Sequence, residues 1–181
     1  MFLLRDQPDR ECLQRLKERY PDLEVDGLRA VIALIRTSAD ITECFEKFLA
    51  RHGLSHGRFA IMMFLNRNPE LPVNQTQIAE AYGVSKATIT GLIDGLERDV
   101  MVERLPDPHD RRATLVHLAP AGRAFLENFL PNHFRGVSEL MAGLSKADLG
   151  VLTSLLARVQ DGVCRVSEGS ECGCAPVDDL R

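Results

Sequence analysis

The stretch NQTQIAEAYGVSKATITGLIDGLERDVMVERLPDPHDRR, residues 74–112, decides the fold. Asn74 is expected to cap a helix over Gln75 to Tyr82, with Gln77 reaching back to the Asn74 amide. Gly83 ends that helix, because the left-handed backbone of a tight turn costs glycine little. Ser85 then caps a second helix, Lys86 to Arg98. Ile78, Tyr82, Val84, Ile89 and Leu92 supply apolar positions that hold the two helices at a steep angle, and small Ala79 lets the backbones approach where they cross. Beyond them, Val102 to Leu105 and Thr114 to Leu118 alternate around a Pro/Asp-rich loop and predict a hairpin. Two short helices on a glycine turn, followed by a hairpin, form the winged helix-turn-helix pattern, whose second helix lies in the DNA major groove.

The second helix sorts its faces accordingly. Ile89, Leu92, Ile93 and Leu96 form the stripe expected to be buried. The opposite face carries Lys86, Thr88, Thr90, Gly91 and Asp94, short polar groups with one cation and no bulky aliphatic. Such side chains approach base edges closely, hydroxyls donating or accepting and a threonine methyl touching thymine. Ser85 and the free amides at the helix start suit a phosphate oxygen. The loop Pro106 to Arg112 is stiffened by two Pro and two Asp, with Arg111 and Arg112 at its base. An arginine there can enter the minor groove, where negative potential is enhanced, and Asp110 can orient a neighbouring arginine. The expected DNA-facing set is Gln75, Gln77, Ser85, Lys86, Ala87, Thr88, Thr90, Gly91, Asp94, Asp110, Arg111 and Arg112.

Charge does not do this work in bulk. The chain of 181 residues has net charge −4, and its pI is near 5.7. From Ser85 to Arg123 six basic residues face six acidic ones, so placement must replace bulk attraction. Binding to DNA is then expected to fall steeply with salt. The same balance motivates another reading, a winged helix that serves protein interaction alone.

Outward from this centre the periodicity is helical. A polar helix is expected over about Pro8 to Arg19, and a long amphipathic one from near Asp26 to His52. A third, Gly57 to Asn66, is capped by Ser55. Pro120 opens a helix to about Met141, with Pro131 inside it predicting a kink. Ser145 to Asp148 has capping-box spacing and starts a last helix carrying Leu149, Leu152, Leu155, Leu156 and Val159. The expected fold class is mainly α with a small β-hairpin wing, a winged helix-turn-helix domain plus N- and C-terminal dimerisation helices. In order these are an N-terminal extension, 1–24; dimerisation helices, 25–53 and 119–163; the DNA-binding domain, 54–118; and a disordered tail, 164–181. The long helices carry more apolar surface than so small a domain can cover, which implies a second copy. A two-fold dimer would set two reading helices about 34 Å apart, one DNA turn.

Other signals are weaker. Apolar residues make up 45% of the chain, and the longest apolar run, Phe59 to Leu65, is far too short to span a membrane. Arg5 and Asp6 interrupt the N-terminal apolar residues, so a cytoplasmic location is expected. The five cysteines then read as reduced thiols. Cys44 is expected to be a buried small hydrophobe, while the Cys172/Cys174 pair is a candidate for a redox or metal response. Gly53-Leu54-Ser55-His56-Gly57 matches G-x-S-x-G, the spacing of a hydrolase nucleophile. That chemistry needs a strand before the serine and a parallel sheet beneath it, and helices stand here instead, so no catalytic residue is expected. His52 and His56 have metal-ligand spacing, but Gly53 breaks the helix between them and no third ligand is evident. Neither a metal nor a cofactor is expected.

Taken together, Gln77 to Glu80, Gly83 to Thr90, Leu92 to Glu97 and the wing Asp107 to Ala113 resemble the MarR family of winged helix-turn-helix regulators. The resemblance runs from about Leu28 to Val159, and the wing is similar to the family's D-x-x-D-x-R signature. It implies a homodimer on pseudo-palindromic double-stranded DNA, as a rule repressing, released by a small molecule or by thiol oxidation, for which Cys12 in the leading helix is the candidate. A phenolic or aromatic acid is the candidate effector, with His56, Arg58, Met62 and Met63 as candidate contacts and Arg58 able to hold a carboxylate. Ala119-Pro120 departs from the family, which usually has a threonine cap there.

Overall fold

A computed structural model describes residues 8–69, 71–107 and 114–167. In chain order the elements are α1 (Arg10–Arg19), α2 (Val25–Ala50), α3 (His56–Asn66), β1 (Val73–Asn74) and α4 (Gln75–Tyr82). They continue as α5 (Lys86–Arg98), β2 (Val102–Pro106), β3 (Thr114–Leu118), α6 (Pro120–Leu140) and α7 (Lys146–Ser167). The chain divides into two compact units between Ala60 and Ile61.

In the first unit, Asp9 caps α1 by accepting from the Cys12 amide at 2.6 Å. Lys17 Nζ donates to the Leu23 carbonyl at 2.7 Å, fastening the turn into α2. Past the end of α2, the Leu54 amide donates to the Leu49 carbonyl at 3.1 Å. Ser55 Oγ then accepts from the Arg58 amide at 3.3 Å, so this serine is the cap of α3. Cys44 is exposed in the single chain, contrary to the expectation of a buried thiol: it lies off the face of α2 that buries Leu49.

The second unit is built on a three-stranded antiparallel sheet in the order β1-β3-β2. The expected hairpin pairs Val102 with Leu118 through to Pro106 with Thr114. The sequence reading omits the third strand, in which Val73 pairs with Val116 and Asn74 with Leu115. Two residues show no alternation of their own, and the partners that make them a strand are distant in sequence. The core joins Val102, Val116 and Leu118 of the sheet, Ile78, Ile89, Ile93 and Leu96 of α4 and α5, and Leu126 and Phe129 of α6, none more than 4% exposed. Burying each such side chain contributes about 1.5–3 kcal/mol.

A tight joint ties α5, β2 and α6 together. The Met101 amide donates to Leu96 O at 2.8 Å, and the Ala119 amide donates to Met101 O at 3.1 Å. A Cβ on Gly122 would lie 2.0 Å from that same carbonyl oxygen, so only glycine fits there. Val100, next to the joint, is forced to φ 58°, which a β-branched residue rarely adopts. With Ala119 at its cap position, α6 has no side-chain cap; it starts from Pro120 and its entry is fixed by the backbone bond to Met101.

At the start of α7, Asp148 Oδ2 accepts from the Ser145 amide at 2.9 Å and its hydroxyl at 2.6 Å, and the Asp148 amide donates back to Ser145 Oγ at 3.2 Å. These bonds hold the Asp148 carboxyl below the usual carboxylate range. The helix continues to Ser167, beyond the boundary at 164 expected for a tail. No proline interrupts Gly162 to Ser167, and Arg165 suits the last turn of a helix. Cys172 and Cys174 lie outside the described residues.

Candidate nucleic-acid interface

The helix pair is closed by short-range bonds. Asn74 Oδ1 accepts from the Thr76 amide at 2.9 Å, while Gln77 Oε1 accepts from the Asn74 amide at 3.0 Å. Gln77 is therefore held by the cap it completes. Gly83 adopts φ 60° and ψ 33°, and the Val84 amide donates to Ala79 O at 3.1 Å. Ala79 is buried at the crossing, as the sequence requires. Tyr82 and Val84, read from sequence as packing positions, are instead 39% and 41% exposed, because Ile78 and Ile89 already fill the seam. The Tyr82 ring lies 6.0 Å from that of Phe64.

On α5 the buried stripe is Ile89, Ile93 and Leu96, with Leu92 half-buried. Ser85, Lys86, Ala87, Thr88, Gly91 and Asp94 are exposed, and Thr90 is half-buried. A Cβ on Gly91 would meet nothing within 4 Å. The helix thus presents a shallow, open face.

Its hydroxyls, however, are already engaged by neighbouring groups. Ser85 Oγ accepts from the Thr88 amide at 3.1 Å and shares a hydrogen bond with Thr88 Oγ1 at 2.8 Å. Thr90 Oγ1 lies 2.9 Å from Lys86 O and 3.1 Å from Oε1 of Gln75. Gln75, expected to face DNA, is buried and supports α5 from below.

Asp94 is also redirected. Arg104 of β2 forks, one nitrogen donating to Asp94 Oδ1 at 2.5 Å and the other to Glu97 Oε2. The guanidinium is the least exposed of the three side chains, at 21%. Sequence reading assigns Asp94 to the DNA and overlooks Arg104; the available signal is two acids one helical turn apart opposite a strand arginine. The pair ties β2 to α5. Across the strands, His117 Nε2 lies 3.4 Å from Glu103 Oε2. Asp110, Arg111 and Arg112 lie outside the described residues.

The expected effector residues all fall on α3. His56 is exposed, Arg58 and Met63 are half-buried, and Met62 is fully buried. Met62 packs in the core, so its side chain does not reach the surface of the single chain. A cleft of about 610 Å³ lies in the first unit, lined by Leu13, Arg10, Asp26 and Arg29 among others. Among the described residues, no group of three or more His, Cys, Asp and Glu is arranged to hold a metal ion, and no helix is long and apolar enough to cross a membrane.

A helix pair crossing on a glycine turn, clamped to a small antiparallel sheet and showing an uncluttered outer face, defines a winged helix-turn-helix protein. The MarR family profile matches residues 52–113, from just past α2 up to the start of β3. The HTH-type transcriptional repressor YetL of Bacillus subtilis is 33% identical over 84% of this chain and 92% of its own length. AbsC, a MarR family transcriptional regulator from Streptomyces coelicolor, superposes with a TM-score of 0.71 at 22% identity, covering 78% of this chain and 96% of that one. The Staphylococcus aureus MepR-DNA complex gives a TM-score of 0.65 at 20% identity, over 72% of this chain and 96% of the other. The chain belongs to the MarR family: it is a transcriptional regulator and not an enzyme.

Proposed function

We propose that this regulator represses transcription by binding duplex DNA as a homodimer, with α5 in the major groove and the loop carrying Asp110, Arg111 and Arg112 against the adjacent minor groove. The observation that carries the reading is the open face of α5: exposed short side chains, bare backbone at Gly91, and Lys86 in the first turn. Gln75, Gln77 and Asp94 serve as supports of that face through their bonds to Thr90, Asn74 and Arg104. A relative named as a repressor and a structural neighbour solved with DNA favour the same reading.

The homodimer rests on α7, whose Val151, Leu155, Val159 and Val163 are 44–59% exposed in the single chain. A small phenolic or aromatic acid is proposed as the releasing effector, with Arg58 taking its carboxylate and His56 and Met63 beside it on α3. The alternative, a thiol or metal response, would draw on Cys12, half-buried on α1, and on Cys172 and Cys174. The test is enrichment of a randomised duplex library by the full-length chain, then anisotropy titration of the selected duplex at low and moderate salt. A sequence-dependent complex whose affinity drops steeply with salt is expected. Binding that ignores sequence would refute the reading.

A further inference from the structure

The face offered to the duplex has an unusual economy of polar groups. Ser85 and Thr88 hydrogen-bond each other across the first turn of α5, and Ser85 Oγ also accepts from the Thr88 amide. The Thr90 hydroxyl sits between Lys86 O and Gln75 Oε1, two acceptors that both call on its single proton. Gln75 is buried, so its oxygen would lose its partner if Thr90 turned outward. Besides Lys86 and the one hydroxyl proton that the Ser85–Thr88 pair does not share, what remains to face a base edge is carbon: the Ala87 β-methyl, the γ-methyls of Thr88 and Thr90, and the bare backbone at Gly91. In the major groove the base-edge group suited to carbon is the C5-methyl of thymine.

We infer that α5 recognises thymine through the methyl groups of Ala87, Thr88 and Thr90, with Gln75 acting as the positioning residue that keeps the Thr90 hydroxyl turned in. The inference rests on the proposed placement of α5 in the major groove and adds the chemistry by which it reads. Lys86 contributes charge at the helix start without selecting a base. The preferred half-site therefore carries thymines under the first turn and a half of α5, and its affinity resides partly in their methyl groups.

The experiment uses the duplex selected from the randomised library by the full-length chain, synthesised with thymidine and, position by position, with deoxyuridine. That exchange removes one methyl and leaves every hydrogen-bonding group in place. Each contacted methyl lost is expected to weaken binding about fourfold, the value of burying one such carbon. Thr90→Val keeps the methyl and drops the hydroxyl, and is expected to retain the preference for thymidine over deoxyuridine. Thr90→Ser keeps the hydroxyl and drops the methyl, and is expected to lose that preference at one position. The ratio is measured within each variant, so a change in its folded fraction cancels. Equal binding of thymidine and deoxyuridine duplexes by the parent chain would overturn the inference and leave DNA reading intact. A preference lost in Thr90→Val and kept in Thr90→Ser would also overturn it, assigning the reading to the hydroxyl. Failure to enrich any duplex would overturn both this inference and the function beneath it.

Discussion

Helices α5 and α7 are both amphipathic, yet they dispose of their apolar faces in opposite ways. Ile89, Ile93 and Leu96 of α5 are at most 1% exposed, whereas Leu155 and Val159 of α7 are 48% and 44% exposed. The chain itself covers the first stripe, with sheet, α4 and α6. Among the described residues the second is left exposed, and a second copy is the proposed cover. The difference separates two kinds of surface on one molecule. Where the apolar side is already satisfied, the opposite face is free to be shaped for a polar ligand. Where it is not, the helix is proposed as half of an interface.

The sharpest way to break this comparison is truncation on each stripe. Leu96→Ala removes a fully buried side chain and is expected to cost about 2–5 kcal/mol, read by chemical denaturation. Leu155→Ala is expected to cost far less at high dilution and to show its effect through association: the melting temperature should depend on protein concentration in the parent and much less in the variant. Equal losses at both sites, independent of concentration, would mean that α7 is not an interface.

Next in size is the clamp. Arg104→Ala leaves Asp94 and Glu97 as neighbouring acids on α5 and frees β2 from it. With both carboxylates about half exposed, the stability loss is expected to be only about 1 kcal/mol. DNA affinity is expected to fall by more than that, because the wing loses its orientation. Val100→Gly relieves the left-handed strain of a β-branched residue and is expected to gain about 0.5–1 kcal/mol, net of the extra freedom glycine has when unfolded.

The smallest effect belongs to the cap of α7. The carboxyl of Asp148 is held below its ordinary value by the Ser145 hydroxyl and amide, so its ionised form is the one the fold favours. Its contribution is present above the ordinary carboxylate pKa and fades as pH falls through the depressed folded value. Asp148→Asn is expected to flatten that part of an acid-unfolding curve while changing little at neutral pH.

What could be read in the sequence was what acts over a few residues. The Asn74 and Gln77 box, the Gly83 turn, the Ser85 cap and the Ser145/Asp148 box are each decided by a side chain meeting backbone within one turn, and each is found in place. What escaped needs partners that periodicity cannot name. β1 exists only because β3 passes beside it. Val100 is bent by a joint that α6 completes at Gly122. Asp94 looks unengaged on a helical wheel and is ion-paired once Arg104 arrives from β2. The hydroxyls of Thr88 and Thr90 look available on the wheel for the same reason, since a wheel places side chains without showing what they bond.

The most direct measurement compares two glycines with open surroundings, Gly91 on α5 and Gly150 on the polar side of α7. Replacing either with glutamate meets no neighbour and, by helix propensity, stabilises by about 0.5–1 kcal/mol. Anisotropy titration of the selected duplex is predicted to show Gly150→Glu binding like the parent and Gly91→Glu losing the sequence-dependent complex, with both variants melting at or above the parent temperature. A fully folded Gly91→Glu protein that binds as tightly as the parent would contradict the account.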